Sequence, residues 1–346
     1  MSKSQSHPST TEIYFTLKNN VPGLGSQIIP VVGLGTASPS DRAPETKEAV
    51  ITAIEKGGLR HIDTAWFYGT EKFIGEALQE VFSRGKVKRE DLFITTKVWP
   101  VYWDNASESI DISLKDLQLD YVDLVLQHWP LCFPKILKPG SNGNGVPQYI
   151  GVPHDSETGE PLVESEKDYL TTYKQLQSIV LDPRDHRVKN IGVSNYPIGY
   201  LNKLLSDPDI KITPAINQVE INPQCPQLEL AEFCHEKGIL MTAYSPMGSS
   251  GAPILKLPEI VELAKKYNCS GNDIVISYLI RRGIVVIPRS LNLQRIAKDF
   301  QNYILLTDED VDNINQIGIK TPFRHIDEDF AKSIPGFTGR TKTKAT

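Results

Sequence analysis

The feature that most constrains the fold of this chain is a regular alternation of short apolar runs with segments of helical periodicity. Counting from Val31, the apolar runs continue at residues 61–63, 92–97, 122–127, 188–194, 215–220, 239–244 and 284–288, eight in all. Helical spacing marks 45–56, 71–82, 168–179, 198–205, 228–237, 258–267, 272–281 and 293–300, and Asp104 reads as the cap of a further helix running to Leu117. Apolar runs of this kind suit strands buried on both faces, the condition of a parallel sheet covered by its crossover helices. Two architectures answer to the pattern. An open dinucleotide-binding sheet carries a GxGxxG turn after its first strand. Here Gly33-Leu34-Gly35-Thr36 lacks the third glycine and reads as a tight turn at a barrel mouth. The sequence therefore predicts an α/β fold of the (β/α)8 TIM-barrel type.

Ahead of the barrel, residues 11–17 alternate in a β-like way, and Gly23-Leu24-Gly25 turns the chain into 27–32. That reads as an N-terminal β-hairpin leading into the first buried strand. The 346 residues, 40% hydrophobic and 23% charged, suit one barrel with long loops. The expected organisation is a flexible N-terminal segment at 1–10, a single barrel domain at 11–323 and a C-terminal tail at 324–346. Residues 130–167 break the rhythm, being rich in Pro and Gly and without periodicity. A loop of that length in a compact domain is usually functional. Its tip, Gly-Ser-Asn-Gly-Asn-Gly at 140–145, is expected to stand too far out to touch a substrate.

Several function classes fall away. A net charge of −5 gives no support to nucleic-acid binding. No apolar run approaches membrane-spanning length, and the polar start lacks the apolar core of a signal peptide. A cytoplasmic protein, monomeric or a small oligomer, with a small-molecule partner and no membrane partner, is expected. Cys132, Cys225, Cys234 and Cys269 have no metal-site spacing and read as reduced thiols, so no metal is expected.

Polar residues close several of the apolar runs. Asp63 closes the second strand with Tyr68 in the loop behind it, Lys97 closes the third, and His128 closes the fourth. In a barrel these strand ends converge on one mouth. Each residue alone has an ordinary reading: a turn Asp, a surface Lys, a packed Tyr, a buried His. Together they make an acid–base group. A free Tyr is a poor acid near neutrality. A neighbouring Lys97 ammonium is expected to lower the Tyr68 pKa, and Asp63 to keep Lys97 charged. His128 can hydrogen-bond a substrate oxygen. The apolar residues that open the long loop, Trp129, Leu131, Cys132 and Phe133, are expected to wall the substrate pocket opposite Tyr68, with Trp66, Phe67 and Trp99 on the other sides.

These residues resemble the aldo-keto reductase superfamily. Gly58 to Ala65 with Tyr68, Glu71 and Ile74-Gly75 resembles its first signature, with Leu59 in place of the usual Phe or Tyr. Ile94 to Trp99, Leu126 to Pro130, Ile191 to Asn195, Asn217 to Glu220, Ala243 to Gly248 and Val286 to Ser290 continue the match in order. The resemblance implies an NADP(H)-dependent oxidoreductase passing a hydride between nicotinamide and a carbonyl, alcohol or sugar lactol carbon, with NAD as a second cofactor. It implies Tyr68 as proton donor, tuned by Lys97 and Asp63, and His128 orienting the substrate. Tyr244 resembles the residue that stacks on nicotinamide, and Ser194, Asn195 and Gln218 those that hold its carboxamide. Thr36 and Asp63 join the cofactor set. Ser245, Pro246, Met247, Gly248 and Ser249 resemble the loop over the pyrophosphate, and Arg289, Ser290, Leu291, Asn292 and Arg295 the clamp on the 2′-phosphate. Three departures stand out. Ala37 replaces a frequent Trp, leaving room for a cyclic substrate. Arg289 replaces a frequent Lys, and Lys298 and Asp299 stand where Glu and Asn near adenine are common. Residues 89–97, 128–133 and 181–188 look most like the D-arabinose dehydrogenase branch in yeasts. Two rival expectations are a reductase of α-dicarbonyls and keto esters, and an NADP-binding regulatory or channel-associated subunit.

Overall fold

The computed structural model describes residues 8–139 and 148–337. The loop tip at 140–145 lies outside the described residues. Eight parallel strands run in chain order: β3 (Leu34–Gly35), β4 (His61–Asp63), β5 (Phe93–Val98), β6 (Val122–Gln127), β7 (Val188–Ser194), β8 (Ile216–Glu220), β9 (Leu240–Tyr244) and β10 (Ile284–Val286). Parallel bridges Val32↔Val286 and Gly35↔Arg289 join the first strand to the last, closing the sheet into a barrel. The helices α1 (Thr46–Glu55), α2 (Glu71–Ser83), α3 (Ala106–Leu117), α4 (Leu170–Leu181), α5 (Ile198–Ser206) and α6 (Leu228–Glu236) alternate with the strands. The pair α7 (Pro258–Tyr267) and α8 (Gly271–Arg281) precedes β10, and α9 (Leu293–Lys298) follows it. The expected (β/α)8 barrel is the observed fold.

Strand periodicity sorts the side chains. On β5, Phe93, Thr95 and Lys97 share one face, and Ile94, Thr96 and Val98 the other. Phe93 belongs to a small interior cluster with Leu124, Leu126, Ala215, Ile216 and Val285. Leu17 of β1 (Tyr14–Leu17) and Ile29 of β2 (Gln27–Pro30) complete it, so the N-terminal hairpin plugs one end of the barrel. Further along the same inward rows, four residues past Phe93 and two past Leu126 and Ile216, stand Lys97, His128 and Gln218, at the opposite end. The larger apolar cluster fills the space between strands and helices.

Close approach explains two glycines that read as a turn. Gly33 directly precedes the first strand and Gly35 lies within it. A Cβ on Gly33 would stand 2.6 Å from the His61 ring, and one on Gly35 2.9 Å from the Ile287 carbonyl. They are glycines because neighbouring strands leave no room, not because the chain turns there. Gly75 has the same cause, since its Cβ would lie 2.3 Å from the Asp116 carbonyl where α2 meets α3.

Three further expectations are corrected, and one helix is added. The cap of α3 is Asn105, whose side chain accepts from Glu108 N, while Asp104 pairs with Lys135 at 2.6 Å. Residues 8–10 are not loose: Thr10 N donates to Gln301 O at 2.8 Å, Tyr303 N donates to Pro8 O at 3.0 Å, and Thr10 is buried. A tenth helix, α10 (Asp308–Lys320), packs on α7 and α8. Its signal was present in Thr307, which caps it, and in Asp308-Glu309-Asp310, which suit the positive end of the helix dipole. Of the expected tail at 324–346, the described part, 324–337, is instead packed: Phe330, Ile334 and Phe337 are buried.

Candidate active site

The strand ends bring Asp63, Tyr68, Lys97 and His128 together. Lys97 is an inward residue of a strand buried along its whole length, so its ammonium needs a counterion. It has one: Nζ lies 2.5 Å from Asp63 Oδ1, and it also donates to Thr64 O at 2.8 Å and Tyr68 OH at 3.2 Å. The second Asp63 oxygen accepts from Gln218 Nε2 at 2.7 Å. The His128 ring stands edge-on to Tyr68, with centroids 5.5 Å apart.

The electrostatics follow from burial and this one cation. Burial pulls the Lys97 ammonium down, but Asp63 and Tyr68 more than offset that, and its pKa is raised. The expected lowering of Tyr68 does not hold. Burial of the hydroxyl outweighs the pull of Lys97, and the Asp63 charge adds to the rise. Tyr68 is therefore a neutral phenol near pH 7. His128 is lowered well below its ordinary value by burial and then by Lys97, so its ring is neutral too. His128 Nδ1 is buried without a hydrogen-bond partner among the described residues. Two neutral donors thus face the same space, with a cation behind one of them.

A chain of hydrogen bonds runs sideways from this group. Ser194 Oγ donates to Gln218 O at 2.7 Å, Asn195 Nδ2 to His128 O at 3.0 Å, and Tyr244 OH to Asn195 Oδ1 at 2.8 Å. Thr36 Oγ1 donates to Asp63 O at 2.9 Å. Asn195 and Ser245 hold left-handed backbone, φ 63° and 49°. Such conformations outside glycine persist where the surroundings enforce them, often at functional sites. After Tyr244 the loop of Ser245, Pro246, Met247, Gly248 and Ser249 turns through Gly248 N→Ser245 O at 2.9 Å. Past β10, Arg289 and, on α9, Arg295 are exposed, and Arg289 donates one N–H to Ala37 O at 2.8 Å. Asn292 caps α9 by accepting from Arg295 N, Ser290 Oγ accepts from Asn292 N at 3.1 Å, and Leu291 packs on the core.

The aromatic residues gather around Trp99. Its ring meets His128 at 4.9 Å and stacks on Phe67 at 3.6 Å, with the planes 4° apart. Trp66 turns its edge to Tyr102 at 5.0 Å. Phe330 was missed by the sequence reading. It meets Trp99, Trp129 and Phe133 at 5.8, 5.2 and 5.6 Å, so the C-terminal segment covers this side of the mouth. Phe133 and Cys132 are buried beneath that contact and pin the loop, with Phe133 N on Pro100 O at 3.1 Å and Glu164 N on Cys132 O at 2.9 Å. Phe133 also meets Phe330 of the C-terminal segment edge-on.

The profile of the aldo/keto reductase family matches residues 31–319. The chain belongs to the aldo/keto reductase family. It is 41% identical to "Glycerol 2-dehydrogenase (NADP(+))" of Saccharomyces cerevisiae, over 85% of this chain and 88% of that protein. It is 38% identical to "D-galacturonate reductase" of Hypocrea jecorina, over 83% of this chain and 86% of that one. Its fold matches the aldose reductase of Schistosoma japonicum with a TM-score of 0.75 and 31% identity, covering 87% and 91% of the two chains. This aldo/keto reductase is an oxidoreductase. Among its described residues no helix is long and apolar enough to cross a membrane.

Proposed function

We propose that this enzyme is an NADP(H)-dependent reductase of aldoses and related carbonyl compounds, with Tyr68 as its general acid. The observation that carries the reading is the Lys97 ammonium, buried between the Asp63 carboxylate and the Tyr68 hydroxyl. When bound, the cofactor supplies a hydride to a carbonyl carbon, or removes one from an alcohol carbon. Tyr68, a neutral phenol in the resting site, gives its proton to the carbonyl oxygen. Lys97 stabilises the phenolate left behind, and Asp63 and Thr64 O keep Lys97 charged and in place. His128, neutral, offers a ring N–H to the same oxygen.

The residues present fit the cofactor. Tyr244 is half-buried with its hydroxyl tied to Asn195, which fixes its ring at the mouth. Ser194, Asn195 and Gln218 supply amide and hydroxyl groups of the kind that hold a carboxamide. Arg289 keeps further guanidinium donors beyond the one on Ala37 O, and Arg295 is exposed on α9, the next helix in the chain; forked donors suit a phosphate. That favours NADP(H), with NAD as the weaker alternative.

A polyhydroxylated substrate such as D-arabinose in its lactol form is supported by the strings at 89–97, 128–133 and 181–188, and by relatives named for glycerol and galacturonate. The aromatic enclosure by Trp99, Trp129 and Phe330 favours a second reading, compact carbonyls such as α-dicarbonyls and keto esters. Assaying D-arabinose, galacturonate, an α-dicarbonyl and a keto ester with both cofactors separates them. The first reading requires the aldoses to lead in kcat/KM. Loss of nicotinamide absorbance with none of the four would sink both.

A further inference from the structure

Segment 324–337 touches two parts of the mouth, and one buried carboxylate holds its start. Glu220 ends β8 and is fully buried. Its oxygens accept from His325 N at 2.7 Å, Ile326 N at 3.1 Å and Asn222 Nδ2 at 3.1 Å, and the Arg324 guanidinium stands 3.6 Å away. A buried carboxylate is costly unless its lone pairs are filled. Two of the donors that fill them are backbone amides of the segment, so the carboxylate fixes main chain and not a mobile side chain. The His325 ring lies against Gly248, where a Cβ would come within 3.1 Å of it. Further on, Phe330 packs on Trp99 and Trp129, and Phe337 on Trp129 with the Arg324 guanidinium over its ring at 4.2 Å. On the same strand face, two residues earlier, Gln218 donates to Asp63.

We propose that Glu220 is a positioning residue that sets which carbonyl compounds the enzyme accepts, by clamping the C-terminal segment so that Phe330 closes against Trp99 and Trp129. This rests on the reductase reading above. Glu220 acts through the segment, and its strand ties the same anchor to the Asp63–Lys97 pair.

The test uses the full chain and Glu220→Ala, Glu220→Gln, Phe330→Ala and the Glu220→Ala/Phe330→Ala double variant. Three quantities are read: amide exchange across 324–337, kcat/KM for glyceraldehyde against a bulky aromatic aldehyde, and NADPH affinity. In Glu220→Ala, exchange of the segment should rise at least about tenfold. The preference between the two aldehydes should shift by about tenfold, with NADPH affinity changed less than about threefold, because only the shape of one pocket wall is lost. Glu220→Gln, which keeps an acceptor oxygen, should fall between. Phe330→Ala should shift preference in the same sense, and Glu220→Ala should add little to it, since both remove one wall. Unchanged exchange in Glu220→Ala overturns the proposal. So does an equal loss with both aldehydes, or full additivity with Phe330→Ala. If Glu220→Ala does not fold, Arg324→Met perturbs the clamp from the segment side and carries the same comparison. If the unmodified enzyme reduces no carbonyl, the reductase reading fails, while the exchange arm still decides whether Glu220 holds the segment.

Discussion

Glu71 shows what one buried group does beside a catalytic strand. It opens α2, is buried, and accepts from Thr96 Oγ1 at 2.5 Å, one residue before Lys97. Burial raises its pKa from 4.5 to about 7. Between those values the folded chain keeps a proton that the unfolded chain has lost, so stability falls as pH rises across the window. His61, lowered to about 4 by burial, has the opposite sign: the unfolded chain gains a proton below 6.5 that the folded chain refuses, so stability falls as pH drops. Glu71→Gln leaves His61 unchanged and removes only the first effect. Urea unfolding should show the variant gaining more over the parent at pH 8 than at pH 5, by roughly 2–3 kcal/mol. Equal differences at the two pH values would mean that Glu71 ionises normally in the fold. At this scale the sequence was legible wherever strand periodicity applies, which is why Asp63, Lys97 and His128 could be placed. The direction of the Tyr68 shift was not legible, because it sums the burial of a hydroxyl over surroundings drawn from distant parts of the chain.

Elements tell the same story one level up. The strands were readable because both faces are apolar, and α7 because its bounds coincide with Pro258 and Tyr267. The loop after His128 has no period to read, since its order comes from contacts with other elements. Backbone pairs Lys138 N→Gln148 O and Ile150 N→Ile136 O, at 2.7 and 2.8 Å, form its arm, and the Gly151 carbonyl accepts from Trp99 Nε1. A Cβ on Gly151 would stand 2.6 Å from Phe67 Cε2. Phe67 is 41% exposed and can swing outward, so relief is cheap but moves its ring off Trp99. Gly151→Ala should therefore change thermal stability by less than about 1 kcal/mol, below the usual overpacking cost, while shifting the order of substrates by kcat/KM. A large loss of stability with unchanged substrate order would mean that the Phe67–Trp99 stack is structural.

For the whole molecule, the barrel sets the hairpin plug and the chemistry at opposite ends, and the C-terminal segment adds a wall that barrel periodicity does not announce. The chain carries a net charge of −5, yet exposes Arg289 just past β10 and Arg295 on α9. Arg295→Ala should weaken NADPH by about 1.5–3 kcal/mol, the worth of a hydrogen bond to a charged group, and leave NADH nearly unchanged. Equal weakening of both would assign Arg295 to the fold instead.

The central claim is that Tyr68 delivers the proton while the rest of the site holds cofactor and substrate. Single-turnover reduction of an α-dicarbonyl by the NADPH-loaded enzyme, followed by nicotinamide absorbance in the parent and in Tyr68→Phe, tests it most directly. The account predicts a loss of about 10²–10⁴ in the chemical step, the usual range for a general acid, with NADPH affinity nearly unchanged. A Tyr68→Phe enzyme that keeps most of its single-turnover rate would contradict it.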